Sequence, residues 1–305
     1  MLFILSALAL LSAIGTHLIF KWYTSPWHIL VFVGIFIAWE IIWEVIWWGG
    51  LFLWSLTVDK KKEVTKPSKF FRWIFVETVQ IALFFLNVRV HVEGKEKLPK
   101  PGERFLVVAN HLSNYDPMSV MYALKKHMLV FVSKPENFNI PIVGSIMLKS
   151  GFMAIDRDHV KNAIVTINKA ADYIKNDETS VFIFPEGTRN RTDTPLLEFK
   201  NGAFKIATKA ECPVVIIAIS GTEFVKKRIP RRSDVYLKIV DVVSADKVKG
   251  LKTAGLSEHA FKLIYDNISH GDKAKYEQEL AAKQEAKKSA DKAADNNTDT
   301  KTETE

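Results

Sequence analysis

Three short segments of this chain bring together residue types that can move a proton and hold a phosphate. The first, Ala109-Asn110-His111-Leu112-Ser113-Asn114-Tyr115-Asp116-Pro117, sets a histidine shortly before an aspartate. Asp followed by Pro is a helix start, with Asp as N-cap and Pro at the first helical position. His111 then falls in the loop leaving a strand, where α/β proteins carry reactive groups. Such a loop can fold back until the Asp116 carboxylate accepts a hydrogen bond from one imidazole nitrogen. That bond fixes the tautomer and leaves the other nitrogen to take a proton, the arrangement of a general base. The competing reading is an exposed loop histidine beside an ordinary helix cap.

The second segment, Gly151-Phe152-Met153-Ala154-Ile155-Asp156-Arg157-Asp158, delivers an arginine at the end of an apolar run. A guanidinium grips phosphate bidentately, although Arg157 has Asp156 and Asp158 beside it as alternative partners. The third, Phe182-Ile183-Phe184-Pro185-Glu186-Gly187-Thr188-Arg189-Asn190-Arg191, runs an apolar strand straight into Pro, Glu, Gly and two arginines. Gly187 permits a tight turn that offers backbone N–H groups to an anion beside Arg189. Glu186 is expected to hydrogen-bond a substrate hydroxyl or to hold an arginine.

The elements that must position these residues read as an α/β domain. Apolar, β-rich runs predict strands at 88–92, 105–108, 129–132, 181–184, 214–219 and 235–240. Helical patterns fall at about 118–126, 159–175, 199–210 and 257–268. Alternation of this kind implies a largely parallel or mixed sheet flanked by helices. The chain divides into membrane-anchoring segments at 1–58, a basic linker with an interfacial amphipathic helix at 59–87, the chemical domain at 88–272 and a polar tail at 273–305.

Residues 1–20 are apolar enough and long enough for a membrane span, and no basic leader or small-residue cleavage site marks them as a signal peptide. A second apolar stretch, 27–58, carries Glu40 and Glu44 one helical turn apart. These carboxylates are either functional intramembrane groups or groups lying near headgroup level. Lys60, Lys61, Lys62, Lys66 and Lys69 follow and place the chemical domain on the cytoplasmic side. Residues 70–87 are broken by Arg72, Glu77 and Gln80, which suits a helix lying in the interface with a polar edge.

A net charge of +8 asks for an anionic partner. The apolar front favours lipid, and no nucleic-acid motif competes. Lys226, Lys227, Arg228, Arg231 and Arg232 form a basic run that can face anionic lipid or attract an acidic substrate carrier. Cys212 is the single cysteine, which excludes an internal disulfide and a cysteine-rich metal site and reads as core packing. A lipase elbow, a zincin helix and a P-loop are all missing from the sequence.

In their order and spacing, the three segments resemble the glycerolipid acyltransferase family, which includes bacterial lysophosphatidic acid acyltransferases. The resemblance runs from about Val88 to Val243. Phe199-Lys200-Asn201-Gly202 and Cys212-Pro213-Val214-Val215 look like that family's later blocks. The resemblance implies a glycerol-3-phosphate acyltransferase-like fold, with His111 and Asp116 catalytic and with Arg157, Glu186, Gly187, Thr188 and Arg189 binding substrate. It implies that His111 removes the proton of the glycerol 2-hydroxyl of 1-acylglycerol-3-phosphate, whose oxygen then attacks an acyl thioester, with no metal and no covalent acyl-enzyme. The donor it implies is acyl-coenzyme A or acyl-acyl carrier protein, with no other cofactor. The chain departs from the family at Lys134-Pro135-Glu136-Asn137-Phe138, where a Lys-x-Glu-Leu element is usual. The lysine is kept, and a phosphate role for Lys134 stays open. Glycerol-3-phosphate or another lysophospholipid as acceptor, or a non-catalytic anionic-lipid-binding membrane protein, are the alternative readings.

Overall fold

A computed structural model describes residues 1–278 except 25, 61, 63, 65, 157, 158, 272, 275 and 276. Most of the predicted tail, and Arg157 of the second segment, lie outside the described residues.

The chain begins with two apolar helices, α1 (Leu2–Ile19) and α2 (His28–Leu56). At about 1.5 Å per residue these are roughly 27 Å and 43 Å long, enough to cross a bilayer core. Their large apolar side chains point outward, with Leu11, Ile19, Ile29, Val45 and Leu53 all exposed. In water such a surface is costly, and in lipid it is at home. Tryptophans tie the two helices together: Trp39 Nε1 donates to Thr16 Oγ1 at 3.0 Å, and Trp43 Nε1 to Ser12 Oγ at 3.2 Å. Glu40 accepts from the Ser6 hydroxyl at 2.6 Å and Glu44 from Trp48 Nε1 at 2.8 Å.

The next helix, α3 (Lys69–Phe85), is capped by the Ser68 hydroxyl. One of its faces is apolar, and Val76, Val79 and Leu83 on it belong to the domain's core. Arg72 is not on a polar edge, as the sequence pattern suggested, but buried. Its guanidinium donates to the carbonyls of Lys125, His127 and Leu129, and so closes the turn between a helix and a strand of the domain. Burial pushes that guanidinium down to about 10, with the charge of Arg104 adding to the effect. An arginine among apolar neighbours is tolerable when backbone oxygens take its protons.

Among the described residues, seven strands and six helices follow: β1 (Val88–Glu93), β2 (Leu106–Ala109), α4 (Asp116–Ala123), β3 (Leu129–Ser133), α5 (Val143–Lys149), β4 (Met153–Ala154), α6 (Val160–Lys175), β5 (Ser180–Ile183), α7 (Lys205–Ala210), β6 (Val214–Ser220), α8 (Val225–Arg228), β7 (Ser233–Val243) and α9 (Ala245–Asn267). They form one mixed sheet in the order β1-β7-β6-β2-β5-β3-β4. Every neighbouring pair is parallel except β6–β7, which is antiparallel. The central strands β2 and β5 are buried along their whole length, as parallel strands covered on both faces must be. The helix groups α3–α4–α5 and α6–α7–α9 supply that cover.

The six predicted strands all form, each within two or three residues of its expected ends. The departures are local. Asp116 is the first residue of α4 and not its N-cap, because its carboxylate is engaged elsewhere. The predicted 199–210 helix is a 3₁₀ turn at Asn201–Phe204 leading into α7. The last helix begins twelve residues ahead of the expected start, and the non-helical Lys252 breaks it near the middle.

Candidate active site

Parallel strands place their C-terminal ends side by side, and ligands of open α/β sheets bind at that rim. Here β2 ends at the His111 loop, β5 at the Glu186–Arg189 block, β3 at Lys134 and β6 at Thr222. Asn110 fastens the rim. Its side-chain amide donates to the Ile219 carbonyl at 2.9 Å and accepts from the Ile219 N–H at 2.8 Å, clasping the end of β2 to the end of β6.

The loop does fold back. His111 Nδ1 lies 2.7 Å from Asp116 Oδ2. Asp116 is fully buried and its charge is well met. Oδ2 also accepts the backbone N–H groups of Leu112 at 2.6 Å and Ser113 at 2.7 Å, and Oδ1 accepts the Thr222 hydroxyl. With so many donors aimed at it, the carboxylate has one orientation open to it, and that orientation requires a proton on His111 Nδ1. The imidazole stacks flat on Phe184, with ring centroids 3.8 Å apart at 11°. Nε2 carries no hydrogen bond to a protein group among the described residues, and His111 borders a cavity.

That cavity, of about 330 Å³, has His111, Asn114, Lys134, Thr188 and Arg189 among its polar lining groups, with Ser133 and Asn137 beside them. Its apolar walls come from Phe75 of α3, Val143 and Met147 of α5, and Phe131, Phe152 and Phe184 of the sheet region. Cationic groups and a proton acceptor therefore share a space with an apolar lining, which suits an amphiphile carrying an anionic head. Arg189 is held ready by Asn114, whose Oδ1 accepts from its guanidinium at 2.8 Å.

Of the site residues expected from sequence, His111, Asp116, Thr188, Arg189 and Lys134 converge here, and two others are placed differently. Glu186 does not reach the cavity. It is 3% exposed, and its carboxylate accepts the backbone N–H of His111 at 2.5 Å and of Leu197 at 3.1 Å. A buried acid must spend its oxygens on internal donors, so Glu186 supports the His111 loop from below and touches no substrate space. Gly187 likewise does not offer its N–H to an anion. That group closes the turn on the Phe184 carbonyl at 3.1 Å, with φ at +74°. The following Asn190 N–H donates to the His111 carbonyl at 2.7 Å. The Glu186–Asn190 block thus grips the His111 backbone on both sides.

Sequence reasoning missed Thr222, which stands 106 residues from Asp116, and the stacking role of Phe184. Cys212 is buried and burial pushes its thiol up to about 12, in keeping with an inert core residue.

Burial also pushes the Glu186 carboxyl up to about 8, against the pull of its two backbone donors. The folded state therefore holds this proton more tightly than the unfolded chain, whose carboxyl titrates near 4.5. By linkage, the stability that this group contributes is complete below about pH 4.5 and is lost as pH rises through about 8. Melting temperatures across that window should fall more steeply for the wild type than for Glu186→Gln, and parallel slopes would refute the assignment. Glu186→Ala leaves two partly buried N–H groups without acceptors, at up to about 1–3 kcal/mol each, and its melting point should drop below that of the wild type at any pH.

The sheet domain resembles known acyltransferases. Residues 89–220 match the family model described as Acyltransferase. A 1-acyl-sn-glycerol-3-phosphate acyltransferase of Saccharomyces cerevisiae is 28% identical over 187 residues, covering 60% of this chain and 61% of the relative. The alpha enzyme of that name from Mus musculus is 31% identical over 62% of this chain and 64% of its own length. The Haemophilus influenzae protein is 35% identical over 46% and 56%. The chain thus spans less than two thirds of the length of these curated relatives. The crystal structure of the 1-acyl-sn-glycerophosphate (LPA) acyltransferase from Thermotoga maritima superimposes with a TM-score of 0.56 at 25% identity, covering 74% of this chain and 90% of that one. Residues 89–220, which carry the His111–Asp116 rim, are therefore similar to acyltransferase domains in both sequence and fold.

Proposed function

We propose that the protein transfers a fatty acyl group from an acyl thioester to the 2-hydroxyl of 1-acylglycerol-3-phosphate, giving phosphatidic acid. The observation that carries this reading is the His111–Asp116 pair opening onto a cavity that also holds Lys134 and Arg189. The acceptor hydroxyl gives its proton to Nε2 of His111 as its oxygen bonds to the thioester carbonyl carbon. The tetrahedral intermediate collapses, the carbon–sulfur bond breaks, and the leaving thiolate takes the proton back from the imidazolium. The ester and a free thiol leave, and His111 is neutral again. Asp116 holds the tautomer and offsets the transient positive charge. Arg189, Thr188 and Lys134 receive the acceptor phosphate, and Arg157 is assigned to the same task from the sequence. Glu186 and Gly187 act at one remove, through the backbone of the loop. The donor is acyl-coenzyme A or acyl-acyl carrier protein. The two apolar helices hold the protein in a membrane, with the lysine-rich segment after α2 and the domain on the cytoplasmic side.

The test is an assay of purified full-length protein in vesicles or detergent with lysophosphatidic acid, each donor supplied separately. Phosphatidic acid formed with either donor supports the reading and identifies the donor. Product only with glycerol-3-phosphate or another lysophospholipid moves the acceptor assignment, and lipid binding with no turnover on any thioester replaces the enzyme by a lipid-binding protein. Within that assay Arg189→Ala should raise the acceptor KM about tenfold or more, as loss of a charge-assisted contact does. The donor KM should change little. The opposite split would remove Arg189 from the phosphate.

A further inference from the structure

α3 links three parts of the molecule. At its start, Phe71 stacks on Trp54 near the end of α2, with ring centroids 4.4 Å apart, and Ile74 packs with Leu51 and the tryptophans 47 and 48. Along its middle it contributes Phe75 to the active-site cavity. At its other end, about 20 Å from Phe71 along the helix, Phe84 and Phe85 are each 76% exposed. The two rings meet edge to face with centroids 5.6 Å apart and form an exposed apolar pair, a surface that marks an interaction site where it is contiguous.

The chain beside this pair is the basic run. Asn87 joins the two: its side chain donates to the Pro230 carbonyl at 3.3 Å, and its own carbonyl accepts from Ser233 N–H at 3.0 Å. Arg232 is engaged with Asp234 at 2.6 Å. Lys226, Lys227, Arg228 and Arg231 are exposed and form no ion pair among the described residues. An open groove of about 520 Å³, lined by Phe84, Asn87, Arg89, Tyr122 and Arg232 among others, runs along the same edge. Sheet topology fixes which edge this is. β1 is parallel to β7 and β7 is antiparallel to β6. The starts of β1 and β7 therefore lie at the end of the sheet where β2 and β6 terminate, which is the rim that carries His111.

We propose that the end of α3 and the loop before β7 form a second membrane contact, specific for an anionic bilayer surface. Phe84 and Phe85 enter the headgroup region, and Lys226, Lys227, Arg228 and Arg231 lie over anionic headgroups. Aromatic side chains with adjacent cations are the composition of an interfacial anchor. Each basic side chain near such a surface strengthens binding about fivefold, and the attraction between exposed charges weakens with salt. An acidic protein would satisfy the cations but leaves the two phenylalanines without an apolar phase, which favours lipid as the occupant. This proposal rests on the membrane-bound reading of α1 and α2, and on no particular acyl acceptor. Its consequence is orientation: the catalytic rim is held at the surface from which a lipid acceptor must come.

The experiment uses the full chain in nanodiscs of phosphatidylcholine, alone or mixed with phosphatidylglycerol. An environment-sensitive fluorophore is attached at Phe85→Cys, and in a second protein at Ile229→Cys, which keeps both phenylalanines. Cys212 is buried and does not compete for the label. Emission from both labels should shift to the blue in phosphatidylglycerol discs, and the shift should diminish with added salt. Lys226→Glu with Lys227→Glu and Arg231→Glu should return both labels to their phosphatidylcholine values. So should Phe84→Ser with Phe85→Ser, read from the Ile229→Cys label. Equal emission in the two lipids would overturn the proposal, as would a shift produced by acidic acyl carrier protein in detergent and not by phosphatidylglycerol. No turnover enters these readouts, so failure of the acyl-transfer reading leaves them interpretable, and a normal rate with no spectral shift would sink the docking surface alone.

Discussion

His111→Ala should lose activity by about 10²–10⁴-fold or more, the range that a positioned general base supplies, while the protein still folds and still binds its membrane. The geometry around Asp116 gives the reason for both halves of that expectation. Among the described residues, the imidazole is the one group lining the cavity with an unengaged nitrogen suited to accept a proton, so no neighbour takes over its transfer. Yet Asp116 keeps three of its donors when the ring is gone: the N–H groups of Leu112 and Ser113 and the hydroxyl of Thr222. The buried carboxylate is not orphaned, and the large penalty for an unpaired buried charge does not arise. Loss of stacking on Phe184 opens a small space at the cavity wall, which solvent can enter. The measurement is initial rate together with a melting curve in the same detergent. A variant that melts like the wild type and turns over like it would end the general-base assignment. A variant that fails to fold would show that the loop depends on the ring, contrary to the hydrogen-bond pattern.

Much of this arrangement is legible in the amino-acid sequence, and the part that is not has a consistent physical origin. Strands are legible because β2, β5 and β6 are short apolar runs with turn residues on either side. The His111–Asp116 contact is legible because the partners share one loop, so their spacing alone limits the geometry. Side-chain direction at block ends is not. Glu186 and Arg72 are charged residues in segments that look solvent-facing, and both turn inward because buried backbone groups of distant segments need them. Nothing in the local pattern announces a carbonyl at His127 or an N–H at Leu197. Thr222 has the same origin: it follows Gly221 after a strand like many turn residues, and only the pairing of β6 beside β2 brings it to Asp116. The helices that the sequence pattern does not reveal, α5, α8 and the first part of α9, are short or broken and lack a clear apolar stripe. The residues that position the base are thus mostly tertiary, while those that do the chemistry are local.

Asp116 separates these two kinds of contribution, and Asp116→Asn is the substitution that measures it. Three N–H donors point at Oδ2 and one hydroxyl at Oδ1. An asparagine placed with its oxygen at the Oδ2 position still accepts all three, and its amide group then meets the Thr222 hydroxyl, which can rotate to accept. The opposite placement sets an amide donor against three donors and is excluded. The asparagine variant should therefore keep the fold and keep the proton on Nδ1 of His111. What it loses is the negative charge opposite the imidazolium that forms during transfer. A pair of unit charges at about 4 Å in a partly screened site is worth about 4 kcal/mol, so kcat should fall by about 10²–10³-fold with both KM values near those of the wild type. Asp116→Ala should lose more, because it leaves the Leu112 and Ser113 N–H groups buried without acceptors, and its melting point should drop as well. Equal kcat in wild type and Asp116→Asn would remove the electrostatic role from Asp116. An asparagine variant as inactive as His111→Ala, with an unchanged melting point, would instead mean that the ring had adopted the other tautomer, and that holding the proton on Nδ1 is the larger part of what the aspartate does.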